Sequence, residues 1–119
     1  MAAAARANCG VLATEEQALD AMVRRLAERL DPQAIWLFGS RASGQARPES
    51  DFDLLIVAKT SGKFGSDDYE TVDGAVRDLR LACDLVPCSA EDFDEGMQSP
   101  TSFVAQIVRS GRQLLRQNS

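Results

Sequence analysis

The sequence contains no histidine in its 119 residues. Imidazole acid–base catalysis and zinc sites built on His ligands are therefore excluded. Cysteine is scarce and odd in number: Cys9, Cys83 and Cys88 show no paired spacing, which points away from a disulfide framework or a zinc cluster and, for Cys83 and Cys88, towards packing near a strand. No apolar run approaches the ~20 residues that a membrane-spanning helix needs. The opening MAAAARANCG lacks the hydrophobic region of a signal peptide, so residues 1–13 are expected to be a flexible tail and the protein to work in a reducing cytoplasm. Basic residues are in the minority, 13 Lys and Arg against 18 Asp and Glu, a net charge of −5. That balance argues against a duplex nucleic acid partner, which calls for clustered cations. It suits a protein that handles divalent ions with carboxylates.

What is present is one domain's worth of alternating elements, expected over residues 14–117, with little room for a separate acceptor-binding domain. Thr14 can cap a helix with Gln17 as its capping-box partner, and Leu19, Met22, Val23, Leu26 and Leu30 form its apolar stripe. Asp31-Pro32 ends it. Ala34 to Phe38 and Asp51 to Val57 read as strands. Tyr69 to Arg80 reads as a helix, and Cys83 to Val86 as a strand closed by Pro87. Ser89 can cap a short helix, and Ser99-Pro100 is the signature of another helix start. That helix contains Phe103, Val104, Ile107 and Val108, and beyond Gly111 the segment Arg112 to Arg116 is open between helix and edge strand. The pattern predicts an α/β (α+β) fold, a small mixed sheet with helices packed against it.

The chemistry concentrates in Gly39 to Asp53. Gly39 at a strand end lets the backbone turn sharply beside a ligand, and a helix beginning near Ser40 would offer amides and a hydroxyl to phosphate. Arg41 and Arg47 lie in the same stretch as candidate triphosphate contacts. Asp51 and Asp53 are two apart on a strand, so their carboxylates share one face while Phe52 faces the packing. Two carboxylates so close repel each other unless a cation joins them, and magnesium with substrate phosphates is the natural occupant.

Gly39-Ser40, a ten-residue spacer and then Asp51-Phe52-Asp53 together resemble the signature of the DNA polymerase beta-like nucleotidyltransferase superfamily; in size the chain resembles its minimal nucleotidyltransferase (MNT) group. The resemblance spans about residues 15–116, closing helix and following Gly111 included. It implies a nucleotidyltransferase fold and a third metal-binding carboxylate on a downstream strand, for which Asp84 is the candidate. It also implies transfer of AMP from ATP to an acceptor hydroxyl with two magnesium ions held by Asp51, Asp53 and Asp84, and Gly39, Ser40 and Arg41 contacting nucleotide. Members of that group are often paired with a HEPN-domain protein in toxin–antitoxin systems, which implies a partner protein carrying the acceptor. A homo-oligomer is left open. The alternative is a non-catalytic nucleotide-binding module that neutralises a partner by contact.

Overall fold

The computed structural model describes residues 7–118. Helix α1 (Glu15–Leu30) starts where the Thr14 hydroxyl accepts the Gln17 amide and ends at Asp31, whose left-handed backbone donates its amide to Ala27. Strand β1 (Ala34–Phe38) runs into a single helical turn, α2 (Ser40–Ser43), and a loop leads to β2 (Phe52–Val57). Helix α3 (Tyr69–Val76) tightens into a 3-10 turn, Arg77–Leu79, before β3 (Cys83–Cys88). Helices α4 (Ala90–Met97) and α5 (Phe103–Ser110) and strand β4 (Arg112–Arg116) complete the chain.

The four strands are ordered β3-β2-β1-β4. β1 pairs antiparallel with both β2 and β4, whereas β2 and β3 are parallel. The mixed sheet expected from the sequence is therefore observed, and the open segment after Gly111 is a strand. Boundaries differ from expectation in four places: β2 begins at Phe52, not Asp51, and the helix expected to Arg80 ends at Val76 with a 3-10 turn to Leu79. β3 continues through Pro87 to Cys88, which an edge strand tolerates because one side of it needs no ladder hydrogen bonds. The last helix begins at Phe103, capped by Ser102, whose hydroxyl accepts the Ala105 amide at 3.0 Å; Ser99 and Pro100 lie in the turn before it.

Alternation along the strands decides what each sheet face carries. Ile35, Leu37, Phe52, Leu54 and Ile56 meet Met22, Leu26, Val72 and Val76 of α1 and α3 in one continuous buried cluster. On the opposite face Ala34, Leu55, Val57 and Cys88 pack under Val104 and Ile107 of α5, with Trp36, Phe38 and Phe93 at the margin. The Trp36 indole nitrogen is buried there without a hydrogen-bond partner among the described residues. No helix of the described residues is long and apolar enough to cross a membrane.

Of the expected tail, residues 1–6 lie outside the described residues. Residues 7–13 form no helix or strand, but they are hydrogen-bonded onto the domain: the Asn8 amide donates to Pro48 O at 2.7 Å and the Val11 amide to Leu79 O at 3.0 Å.

Candidate active site

The candidate residues meet at one end of the sheet. β1 ends there, and β2 and β3 begin there, because β2 runs against β1 and beside β3. Phe38 is the register partner of Asp53 on one side, and Asp84 is its partner on the other. Neighbouring strands lie about 4.8 Å apart, and paired residues project to the same face. Asp53 and Asp84 therefore stand side by side on the face that α5 packs on, at the end where the Phe103 ring of α5 meets Phe38 edge-on, centroids 5.4 Å apart. Asp51 precedes β2 by one residue and, by the same alternation, belongs to that face. Asp51 and Asp84 are exposed and Asp53 is half-buried.

Gly39 brings the second half of the motif to the first. Its φ of 74° lies in the region that favours glycine, and a Cβ there would sit 2.2 Å from the Asp53 carboxylate oxygen Oδ2. The Asp53 side chain thus lies directly over the Gly39 backbone, where Ser40 opens α2. Gly39 O accepts the amides of Ala42 and Ser43, and the turn closes at Gly44 in the left-handed conformation. The amides at the start of such a turn have no intrahelical acceptor, so phosphate at Ser40 is sterically and electrostatically reasonable.

Electrostatics single out Asp53. Its pKa is raised, first by burial and then by the charges of Asp84 and Asp51. Desolvation and like-charge repulsion both disfavour the carboxylate, and a cation would relieve both. Among the described residues no group of three acidic or sulfur side chains forms a ready-made metal cage. A magnesium-type ion needs only one or two protein carboxylates, with phosphate oxygens and water completing its octahedron. The hard oxygen donors of Asp51, Asp53 and Asp84 fit an ion that arrives with a triphosphate.

Arg41 is not brought to the carboxylates. Its Nε donates to Ser50 O at 3.0 Å and its Nη2 to Ser50 O at 2.7 Å and Pro48 O at 3.1 Å. Nη1 pairs with Glu15 at 3.1 Å, and the guanidinium carbon lies 4.0 Å from the centre of the Phe52 ring. All three guanidinium nitrogens thus take part in folding the 40–50 loop back onto α1. Sequence reasoning could see an arginine beside a phosphate motif, but not that loop carbonyls would take its donors. The thiols stay protonated: burial, then nearby carboxylates, push Cys83 up to about 11, and burial does the same for Cys88. Neither is a nucleophile at neutral pH.

Comparisons with known proteins bear on the family. The family described as "Polymerase beta, Nucleotidyltransferase" matches residues 22–119. A relative named "Probable protein adenylyltransferase MntA", from Haemophilus influenzae, is 33% identical over 78 residues, covering 63% of this chain and 68% of its own length. A solved toxin–antitoxin structure with AMP-PNP superposes with a TM-score of 0.53 at 24% identity, over 82% of this chain and 73% of that one. A mutant of the toxin–antitoxin pair MntA–HpeT gives a TM-score of 0.49 at 23% identity, over 87% of this chain and 74% of that one. With the paired carboxylates standing over the glycine turn at the required spacing, the chain belongs to the polymerase beta nucleotidyltransferases, as a member of their minimal group.

Proposed function

We propose that the protein transfers AMP from ATP to a hydroxyl on a partner protein, with Asp51, Asp53 and Asp84 as metal-binding and catalytic residues and Gly39 and Ser40 as the phosphate cradle. The observation that carries this reading is the juxtaposition of Asp53 with the Gly39 backbone on one side and Asp84 on the next strand. It supports a triphosphate at Ser40 lying against the carboxylates. Magnesium would neutralise charge on the phosphates as the bond to pyrophosphate breaks. The acceptor oxygen attacks the α-phosphorus, the bridging oxygen to the β-phosphorus leaves with pyrophosphate, and Asp84, exposed at the rim, is placed to help remove the hydroxyl proton. Gly39 and Ser40 hold the leaving β- and γ-phosphates.

The name of the H. influenzae relative supports a protein acceptor, and the nucleotide analogue in the superposing toxin–antitoxin structure supports ATP and a two-protein context. The resemblance to the minimal group adds that the partner is a helical, HEPN-type protein encoded nearby. Incubation of the complex with ATP and magnesium should raise the partner's intact mass by one AMP residue, and EDTA should abolish the shift. A stable complex whose partner stays unmodified would instead support neutralisation by contact.

A further inference from the structure

We infer that Asn8 is a positioning residue that sets the gap between the two carboxylate-bearing strands, and through it the placing of Asp84 relative to Asp51 and Asp53. The inference rests on the proposed two-ion reading of the site.

The Asn8 side-chain amide is used on both sides. Its Nδ2 donates to Ser50 O at 3.0 Å and to Ala82 O at 2.6 Å, and its Oδ1 accepts the Ala82 amide at 2.9 Å. Ser50 immediately precedes Asp51, and Ala82 stands two residues before Asp84. One planar amide therefore bridges the starts of β2 and β3, where their carboxylates sit. Just beyond it the Phe52 amide donates to Ala82 O at 3.1 Å, and the parallel ladder takes over from the Phe52–Cys83 pair onwards. The Ser50 carbonyl is also held by Arg41, so the β2 side is anchored twice over. The Ala82 side depends on Asn8 for its amide's acceptor.

The segment carrying Asn8 is seated so that this side chain cannot drift. The Asn8 amide binds Pro48 O and the Val11 amide binds Leu79 O. Between them Gly10, at φ 56°, passes so close to the 3-10 turn that a Cβ there would lie 1.9 Å from Leu79 O. Groups bonded directly to metal ligands typically govern affinity by 10–100-fold; Asn8 acts one step further back, on the backbone beside them, so the low end of that range is expected. Losing the bridge should leave Asp51 and Asp53 in place, since Arg41 holds their loop, and let the β3 start move. The ion that Asp84 helps to hold should weaken while the nucleotide-borne ion does not.

The test is a Mn2+ titration followed by electron paramagnetic resonance, with α,β-methylene-ATP as the uncleavable nucleotide, on wild type, Asn8→Ala, Asp84→Asn and the double variant. Wild type should take up two ions. Asn8→Ala should weaken the second by on the order of tenfold, leaving the first unchanged, and should add nothing in the Asp84→Asn background. Thermal melts check folding, and the size-conserving Asn8→Leu replaces Asn8→Ala if the latter unfolds. Both ions weakened equally, neither weakened, or an undiminished effect without Asp84 would overturn the inference. A wild type that takes up no second ion would bring down the two-ion reading first, and the inference with it.

Discussion

The two faces of the sheet divide the work. One is closed along its length by α1 and α3, and its side chains, Ile35, Leu37, Leu54 and Ile56 among them, are fully buried. The other is covered by α5 as far as Phe103, whose ring meets Phe38 beside Asp53, and its open end carries Asp51, Asp53 and Asp84. Ion pairs follow the same division. Beside the closed face Arg25 of α1 grips Asp78 of the 3-10 turn at 2.6 Å, opposite charges that hold two elements together. At the open end like charges sit on adjacent strands, and the pKa of Asp53 rises. The closed face stabilises the fold, and the open end stores repulsion that a ligand cation can relieve.

The largest effect that would sharpen this division is at the open end. Asp53→Asn should cut AMP transfer by on the order of 10³-fold, about 4 kcal/mol of transition-state stabilisation, and weaken nucleotide–metal binding with it; a variant retaining wild-type turnover would place the chemistry elsewhere. On the closed face Leu26→Ala should lower the unfolding free energy by about 2–5 kcal/mol through the cavity it leaves, read by denaturant titration, while ATP affinity of the folded protein stays the same. Asp84→Asn should lower the transfer rate by on the order of 10²-fold, about 3 kcal/mol, with ATP–magnesium binding preserved. Equal losses of binding and rate would mean that Asp84 does not act separately from Asp53.

The smallest effect is a matter of pH. A carboxyl whose folded pKa lies above its unfolded value weakens the fold at higher pH, and the fold regains that stability as pH falls through the folded value. Without divalent ions, Asp53→Asn should therefore melt above wild type near pH 7, and the two curves should converge on acidification. Asp78, lowered chiefly by its hydrogen bond from Arg25, works in the opposite sense: its contribution is present above the unfolded carboxylate range and is lost as pH falls through the folded value. A gap that widens on acidification would reverse the assignment of strain to the open end.

Much of this was legible from residue order. The helical stripe of α1, the apolar strands and the glycine–carboxylate spacing are local patterns, and each appears where its periodicity puts it. The helix start at Ser102 was hidden because Ser99-Pro100 offers an equally good cap three residues earlier, and only packing of Val104 and Ile107 under the sheet decides between them. Arg41 was misleading because its donors suit carbonyls as well as phosphates. Asn8 left no signal at all, since its partners at Ser50 and Ala82 are 42 and 74 residues away and a long-range side-chain bridge has no period.

Trp36 is the one tryptophan in the chain, and it stands on β1 two residues before Phe38, the strand neighbour of Asp53. Its indole nitrogen is shut away from solvent without an acceptor, in an apolar margin beneath α5. The molecule consequently carries its own optical reporter, a single partly buried tryptophan. Any rearrangement at the α5 face when nucleotide or partner arrives should register as a change in its colour or yield, with no label attached.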